Sequence, residues 1–440
     1  MIVVVTVVTI RRSLIGEAKM GKTTRRTFVK RSAMATTAYC LSGAYFTSCS
    51  RRDDVSPNEK SAGDTYGVQQ GEPVVSLFTT MGDEYFTSHV AGTAQCAKAL
   101  GLSYEGFVNE NRPEVELSQF ETAAGKGVRM ITIIPPDFSN VPALYRRANE
   151  MKVHTVTSAE MPLWYFPHLE GDFSVSFITP FDFDSFYDVC KLLFAHIGGK
   201  GKVIMITGFP GGTPDTLRTA AAMMAIEENP GVTLLGQLPG KWNRVDGRKA
   251  AEDLMTAHPD FDAVIALNDE MAIGALSALD DAGRSQVPVT GHNGTAEIMS
   301  YIAEGRVLAT SSTFAFWIGA YMVALAFDAA NGWKPTLPER MMISRHAVID
   351  QSNVEVYMNR YAKKMDNLPF DFKRMSKTLH PDDWDPQNLL TPLDVNRYFG
   401  HTPPDRDTPI PADWQQAVDS GEMARVGKIY GERYQRKILG

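Results

Sequence analysis

With 440 residues, of which 44% are hydrophobic and 22% charged, the chain can bury a full core, and its length allows two or three domains. A formal net charge of -7 argues against nucleic acid as a partner, because binding to phosphates needs a basic face that releases counterions. The four cysteines, Cys40, Cys49, Cys96 and Cys190, show neither zinc-type spacing nor a CxxC pair.

The N-terminus reads as an address. Thr24-Arg25-Arg26-Thr27-Phe28-Val29-Lys30 resembles the twin-arginine export signal and precedes a modestly apolar stretch from Ala33 to Thr47. An amphipathic first helix is the alternative, but this small, Thr-rich stretch carries no helical stripe to bury. Met20 lies nearer the arginines than Met1 and is the start that such a signal favours. Phe46-Thr47-Ser48-Cys49 resembles a bacterial lipobox with Cys49 as the lipidation site, although Phe46 and Thr47 depart from the pattern and leave ordinary signal-peptidase cleavage as the alternative. Residues 1–49 are therefore expected to be an export signal of lipoprotein type, and 50–71, polar and aperiodic, a flexible linker. Only Cys96 and Cys190 then belong to the globular part, as buried apolar side chains or, alternatively, as a disulfide.

From Pro73 onward apolar strands alternate with helical patterns. PVVSLFTT is a strand, Glu84 to Leu100 a helix, and LSYEGFV, VRMITIIPP and VHTVTS are further strands separated by PEVELSQFETAAGKG and VPALYRRANEMK. This alternation predicts a parallel sheet wrapped by helices. SAEMPLWYFPHLEGD is a longer loop whose Trp164, Tyr165 and Phe166 suit either a ligand wall or a buried anchor.

FSVSFITP leads into a second alternation: a helix from Asp182 to Ile197, the strand KVIMITG, a Gly- and Pro-rich turn from Gly208 to Thr213, and the strand in VTLLGQLPGKW. That turn lacks GxxxxGK[ST] and is no phosphate loop. FDAVIAL is a buried-strand run; Asn268 and Asp269 cap the next helix, Gly283 stops it, and VPVTG is the following strand. A right-handed crossover brings Asn268 and the His292-Asn293-Gly294 turn to one sheet edge, where open α/β sheets bind ligands. Two carboxamides there suit a ligand that presents hydroxyls rather than net charge. VLATSST is expected to return to the first lobe, followed by FAFWIGAYMVALAFDAANG, an apolar helix too punctuated to span a membrane.

NDEMAIGALSALDDAG followed by VPVTGHNGTAEIMSYIAEGRVLAT resembles the second lobe of type I periplasmic binding proteins, the ribose- and galactose-binding group that also supplies the sensor domain of lac-repressor-like regulators. The similarity covers roughly Glu72 to Ile349 on domain size. It implies an α/β fold of two Rossmann-like parallel-sheet lobes joined by a multi-crossing hinge: residues 72–178 plus 306–350 form lobe 1 and 179–305 lobe 2. An α-rich C-terminal extension, 351–440, lies outside the resemblance. There, helices near Val354 to Met365 and Asp413 to Ile438 are expected, the latter with a stripe of Trp414, Val418, Val426, Ile429 and Tyr434.

The resemblance also implies ligand contacts. Thr79, Asp83, Tyr85 and Phe86 fall in the turn after the first strand. The two aromatics suit stacking on a sugar ring or simple core packing, and Asp83 suits hydroxyl binding or helix capping. Thr157 stands at the fourth strand end. There the family's Asp-Arg pair is replaced by Thr157-Ser158, and its Asn before Pro by Ile134. In lobe 2 the family positions fall on Arg218, Trp242, Asn268, His292 and Asn293, with Thr313 at a glutamine position; Arg218 suits either a ligand contact or an ion pair. His89, His154 and His292 are isolated from one another and point to no metal site. The implied function is capture of a small hydroxylated solute, a sugar or polyol, for a membrane ABC permease, with no cofactor, no metal, no catalysis and no nucleic acid. A sensory module feeding a receptor kinase, and an enzyme acting through the extension, are the alternatives.

Overall fold

Short runs rich in Val, Ile and Thr, each followed by an amphipathic helix, set up a parallel-sheet architecture, and the computed structural model shows two such sheets. It describes residues 67–400, 409–436 and 438. The twin-arginine stretch, Cys40, Cys49 and most of the linker lie outside the described residues.

The first alternation forms β1 (Pro73–Phe78), α1 (Glu84–Ala99), β2 (Ser103–Val108), α2 (Pro113–Gly125), β3 (Met130–Ile133), α3 (Val141–Met151), β4 (His154–Thr157) and β5 (Ser174–Pro180). The second forms α4 (Asp182–His196), β6 (Lys200–Thr207), α5 (Thr213–Glu227), β7 (Gly231–Pro239), α6 (Arg244–Ala257), β8 (Ala263–Ala266), α7 (Asp269–Asp281), β9 (Val289–Thr290), α8 (Ala296–Ala303) and β10 (Ala309–Ser312). The return comprises α9 (Ala315–Ala330), β11 (Met341–Ser344), β12 (Ala347–Asp350) and α10 (Val354–Arg360); β13 (Leu390–Pro392), α11 (Val395–Phe399), α12 (Ala412–Asp419) and α13 (Glu422–Arg433) follow.

One sheet runs β13-β11-β5-β4-β3-β1-β2 and the other β12-β10-β9-β8-β6-β7. Neighbours are parallel except for the edge pairs β11/β13 and β10/β12. Strand order reverses at β1 in the first sheet and at β6 in the second, so the turns after them are the crevices where such sheets take ligands.

The boundary expected at Arg306 needs correction. β10 pairs with β9, and β12 returns to pair with β10, so both belong to the second sheet; only α9 and β11 lie with the first. Strand pairing decides this, since a four-residue buried strand such as ATSS can extend either sheet.

The extension also differs in detail. The helix expected from Asp413 to Ile438 is two helices, broken at Gly421, whose φ of 77° is left-handed. The expected stripe therefore breaks too. Trp414 and Val426 are buried together with Ala417 and Tyr430, whereas Val418 and Ile429 are exposed.

The extension covers α9. Every residue from Ala315 to Ala330 is buried, and a helix apolar all round needs a cover on each face. Its one carboxylate, Asp328, accepts from the backbone N–H groups of Lys377 and Thr378 at 2.7 and 3.1 Å and from the hydroxyls of Ser376 and Thr378 at 2.5 and 2.6 Å. Trp317 donates its indole N–H to the Pro386 carbonyl at 2.7 Å. The aromatic loop anchors the extension from the other side: Trp164 packs on Phe399 and Phe166 on Trp414, with ring centroids 5.4 Å apart in each pair. Among the described residues Cys96 and Cys190 form no disulfide; both are buried, and burial pushes both thiols up.

Candidate functional site

The C-terminal strand edges of the two sheets face a cleft of about 280 Å³, the small end of the size range for ligand sites. Thr79, Asp83, Tyr85, Phe86, Arg218, Trp242, Asn268, Asn293 and Thr313 line it. Thr157 and His292 do not. Both are fully buried behind the wall, where the Thr157 hydroxyl meets the Tyr145 hydroxyl at 2.5 Å and His292 Nε2 meets Ser185 Oγ at 2.7 Å. Thr157 is the last residue of β4, and its side chain turns into the packing against Tyr145 on α3 rather than toward the cleft. The position of His292 follows from the fully occupied polar environment of the imidazole, whose Nδ1 lies 3.2 Å from Asn293 Oδ1.

The turn after β1 supplies the first wall. Asp83 caps α1 by accepting from Tyr85 N–H at 2.6 Å while lining the cleft, so the capping and lining roles coexist. Burial pushes its carboxyl up to about 7, with Glu270, Asp269 and Glu84 adding to the rise. Tyr85 and Phe86 meet edge to face with centroids 5.2 Å apart, and Phe86 also stacks on Phe78 at 6.4 Å. Phe86 is thus partly core.

Lobe 2 supplies a polar floor already tied to itself. Arg218 pairs with Asp182 at 2.7 Å and donates to the Leu267 carbonyl at 2.8 Å, so it is a buried ion pair and not a surface bridge. Its guanidinium carbon sits 5.3 Å from the Trp242 ring centroid. The other support of that ring is Gly208, where a Cβ would come within 1.9 Å of the indole. Lys241 and Trp242 both have positive φ, 51° and 64°, an uncommon strained bend. Asn268 holds it in place. Its Oδ1 accepts from Met271 N–H at 2.9 Å and its Nδ2 donates to the Trp242 carbonyl at 3.0 Å, so the amide is spent mainly on capping α7 and bracing Trp242. Asn293, with φ of 128°, sits in the next turn. Among the described residues the buried Thr313 hydroxyl has no hydrogen-bond partner, unusual for a residue that lines a cavity unless a ligand supplies one.

Sequence reasoning missed several lining residues: Asn111, Glu160, Asp182 and Phe209. The available signal was position, since each stands just beyond a strand that ends at the cleft. Glu160 accepts from Thr213 N–H at 2.9 Å at the start of α5, and burial pushes its carboxyl up to about 7. Phe209 offers a partly exposed ring on the wall.

Comparison with known proteins agrees with this geometry. Residues 74–334 match the family described as periplasmic binding protein domain. The ribose import binding protein RbsB of Salmonella typhimurium is 28% identical over 263 residues, which cover 60% of this chain and 86% of that protein. Among solved structures, a twin-arginine translocation pathway signal protein from Burkholderia phytofirmans superimposes with a TM-score of 0.63 at 22% identity, covering 68% of this chain and 95% of the other. An ABC transporter solute binding protein from Bacillus halodurans with bound myo-inositol gives 0.61 at 23% identity, covering 68% and 100%. With two parallel-dominated lobes, a cleft at both switch points and a family match over more than half its length, the chain belongs to the periplasmic binding proteins.

Proposed function

We propose that this protein captures a small hydroxylated solute, a sugar or polyol, in its interlobe cleft and delivers it to a membrane ABC importer. The observation that carries the reading is the cleft itself, about 280 Å³ and lined from both lobes by Tyr85, Phe86 and Phe209 together with polar groups. Aromatic faces pack on the C–H face of a sugar ring while amides and hydroxyls satisfy its rim. The names of the relatives support the same reading, since ribose import and bound myo-inositol both belong to small polyhydroxylated solutes. Residue Arg218 then orients Trp242 from below, and Asn268 fixes the bend that presents it.

An extracytoplasmic location fits this role. Arg25-Arg26 supports export by the twin-arginine route, and Cys49 supports lipid anchoring through the linker that follows. Changing both arginines to Lys is expected to retain precursor in the cytoplasm, and Cys49→Ala to abolish acyl addition, read by mass.

The test of capture is a thermal-shift screen over sugars, polyols and nucleosides, because a ligand that binds only the folded state raises stability by mass action. A hit is expected to lower the radius of gyration as the lobes close. Substrate converted during incubation, or no stabilisation by any hydroxylated solute, would overturn the reading.

A further inference from the structure

We propose that the solute is a hydroxylated ring carrying a protonated amine, an amino sugar or aminocyclitol, held between Asp83 and Glu160. This rests on the reading of the cleft as a solute site and narrows the ligand's chemistry. It departs from the uncharged ligand that the two carboxamides suggest from sequence.

The cations of the cleft are already committed. Arg218 is taken by Asp182 and by the Leu267 carbonyl, and Lys241 lies 3.8 Å from Asp246 at the rim. Asp83 and Glu160 line the same cavity and have no cationic partner among the described residues. Each uses one carboxylate oxygen on a helix N-terminus, Asp83 Oδ1 on Tyr85 and Glu160 Oε2 on Thr213, which leaves the second oxygen of each for a ligand. Where the family resemblance puts an Asp-Arg pair after β4, this chain has Thr157-Ser158, so that turn supplies no guanidinium to Asp83 or Glu160.

The surrounding field has the same sign. Asp83 feels Glu270, Asp269 and Glu84, while Glu160 feels Asp137 and Asp182. Buried Glu160 and half-buried Asp83, each without a counterion among the described residues, are costly in their ionised form, and loss of solvent accordingly raises both pKa values to about 7. A ligand ammonium supplies the missing charge. β1 and β4 are separated in the sheet by β3, so their ends are roughly 10 Å apart, a span that a six-membered ring with its substituents bridges.

The test is isothermal titration of three matched pairs at pH 6: D-glucosamine against D-glucose, D-galactosamine against D-galactose, and streptamine against myo-inositol. At least one amine is expected to bind tenfold or more tightly than its neutral counterpart. That comparison needs no variant. Asp83→Asn keeps a capping side chain and Glu160→Gln keeps an acceptor for Thr213, so the variants are expected to stay folded and to reduce the ratio of amine to neutral affinity below about threefold, whatever they do to the affinity for either alone. Neutral ligands binding as well as or better than every amine would overturn the inference and leave solute capture standing. An amine preference that survives both substitutions together would overturn the assignment to these carboxylates. Silence from all six compounds would count against the inference and the hydroxylated-solute reading alike.

Discussion

Glu84, the first residue of α1 in the first lobe, places its two carboxylate oxygens on the backbone N–H groups of Ala296 and Glu297, 2.6 and 3.1 Å away, at the start of α8 in the second. On the other side of the cleft Glu160 makes the corresponding contact with Thr213 at the start of α5. A carboxylate at a helix N-terminus satisfies orphan N–H groups and meets the positive end of the dipole. These contacts can form only when the lobes are together, so they act as latches on the closed form.

Glu84 does not line the cleft, which makes it a clean test of the latch. Glu84→Ala removes two hydrogen bonds to a charged acceptor and is expected to cost about 1–2 kcal/mol of closure. Affinity should fall by about five- to thirtyfold on that scale, with a larger radius of gyration for the ligand-free protein. Unchanged affinity in titration calorimetry would show that closure does not depend on this contact.

Tyr357, at the start of the extension, donates its hydroxyl to the Gly294 carbonyl at 2.9 Å and lies 2.8 Å from Ser312 Oγ. It thereby props the Asn293-Gly294 turn against the strand that leads to Thr313. Tyr357→Phe keeps the ring packing and loses these bonds, about 1 kcal/mol, so solute affinity should weaken by about fivefold with little change in far-ultraviolet dichroism. A variant that binds as tightly as the parent would make the extension mere cover for the lobes.

Lys377 carries the largest electrostatic risk in the extension. Its ammonium pairs with Glu339 and lies 4.5, 4.6 and 4.6 Å from the ring centroids of Trp333, Trp384 and Tyr430. Lys377→Ala strands a buried carboxylate and opens an aromatic cage, a loss of about 3–5 kcal/mol by the usual cost of breaking a buried pair. Chemical denaturation should show it as a lowered midpoint. A change below about 1 kcal/mol would mean that the cage relaxes or that water reaches Glu339.

How much of this was legible in the sequence depends on whether the cause was local. The capping role of Asn268, the parallel alternation and the aromatic pair Tyr85-Phe86 are local and could be read directly. Asn268 as a brace for Trp242 could not, because that bond joins residues 26 apart through a bend whose φ values no side chain announces. β13 was hidden for another reason. Leu390-Thr391-Pro392 is too short to show a period and ends in proline, which an edge strand tolerates because one side needs no ladder. Glu84 and Glu160 looked like ordinary helix-start and loop carboxylates, and their partners lie 212 and 53 residues away. The carboxylates of the cleft were thus present in the sequence, while the pairing of Arg218 and Lys241 with Asp182 and Asp246 rather than with Asp83 or Glu160 is a property of the fold.

The same carboxylates set a pH dependence whose sign can be worked out. Burial pushes Asp83 and Glu160 up to about 7 and Glu116 up to about 8, against ordinary values of about 4 in an unfolded chain. A raised carboxyl holds its proton more tightly when folded, so its contribution to stability is full below about pH 4 and is lost as pH rises through 7 to 8. Buried His89 and His292 and half-buried His154 act oppositely but lower down: desolvation depresses His89 and His154 to about 3 and 4 and His292 likewise downward, so they cost stability only as pH falls below about 6.5. Between pH 6.5 and 8 the carboxyls therefore dominate these shifts, and the Tm of the ligand-free protein should fall as pH rises. Glu116 sits inside the first lobe on Asn109 and Asn140, with Asp137 adding to its rise, so its share persists whether the lobes are open or closed. Asp83 and Glu160 contribute only while the cleft is shut. Asp83→Asn with Glu160→Gln should flatten part of the slope and Glu116→Gln a further part; if Glu116→Gln flattens it and the double substitution does not, the empty protein spends its time open, and Asp83 and Glu160 meet water until a solute arrives.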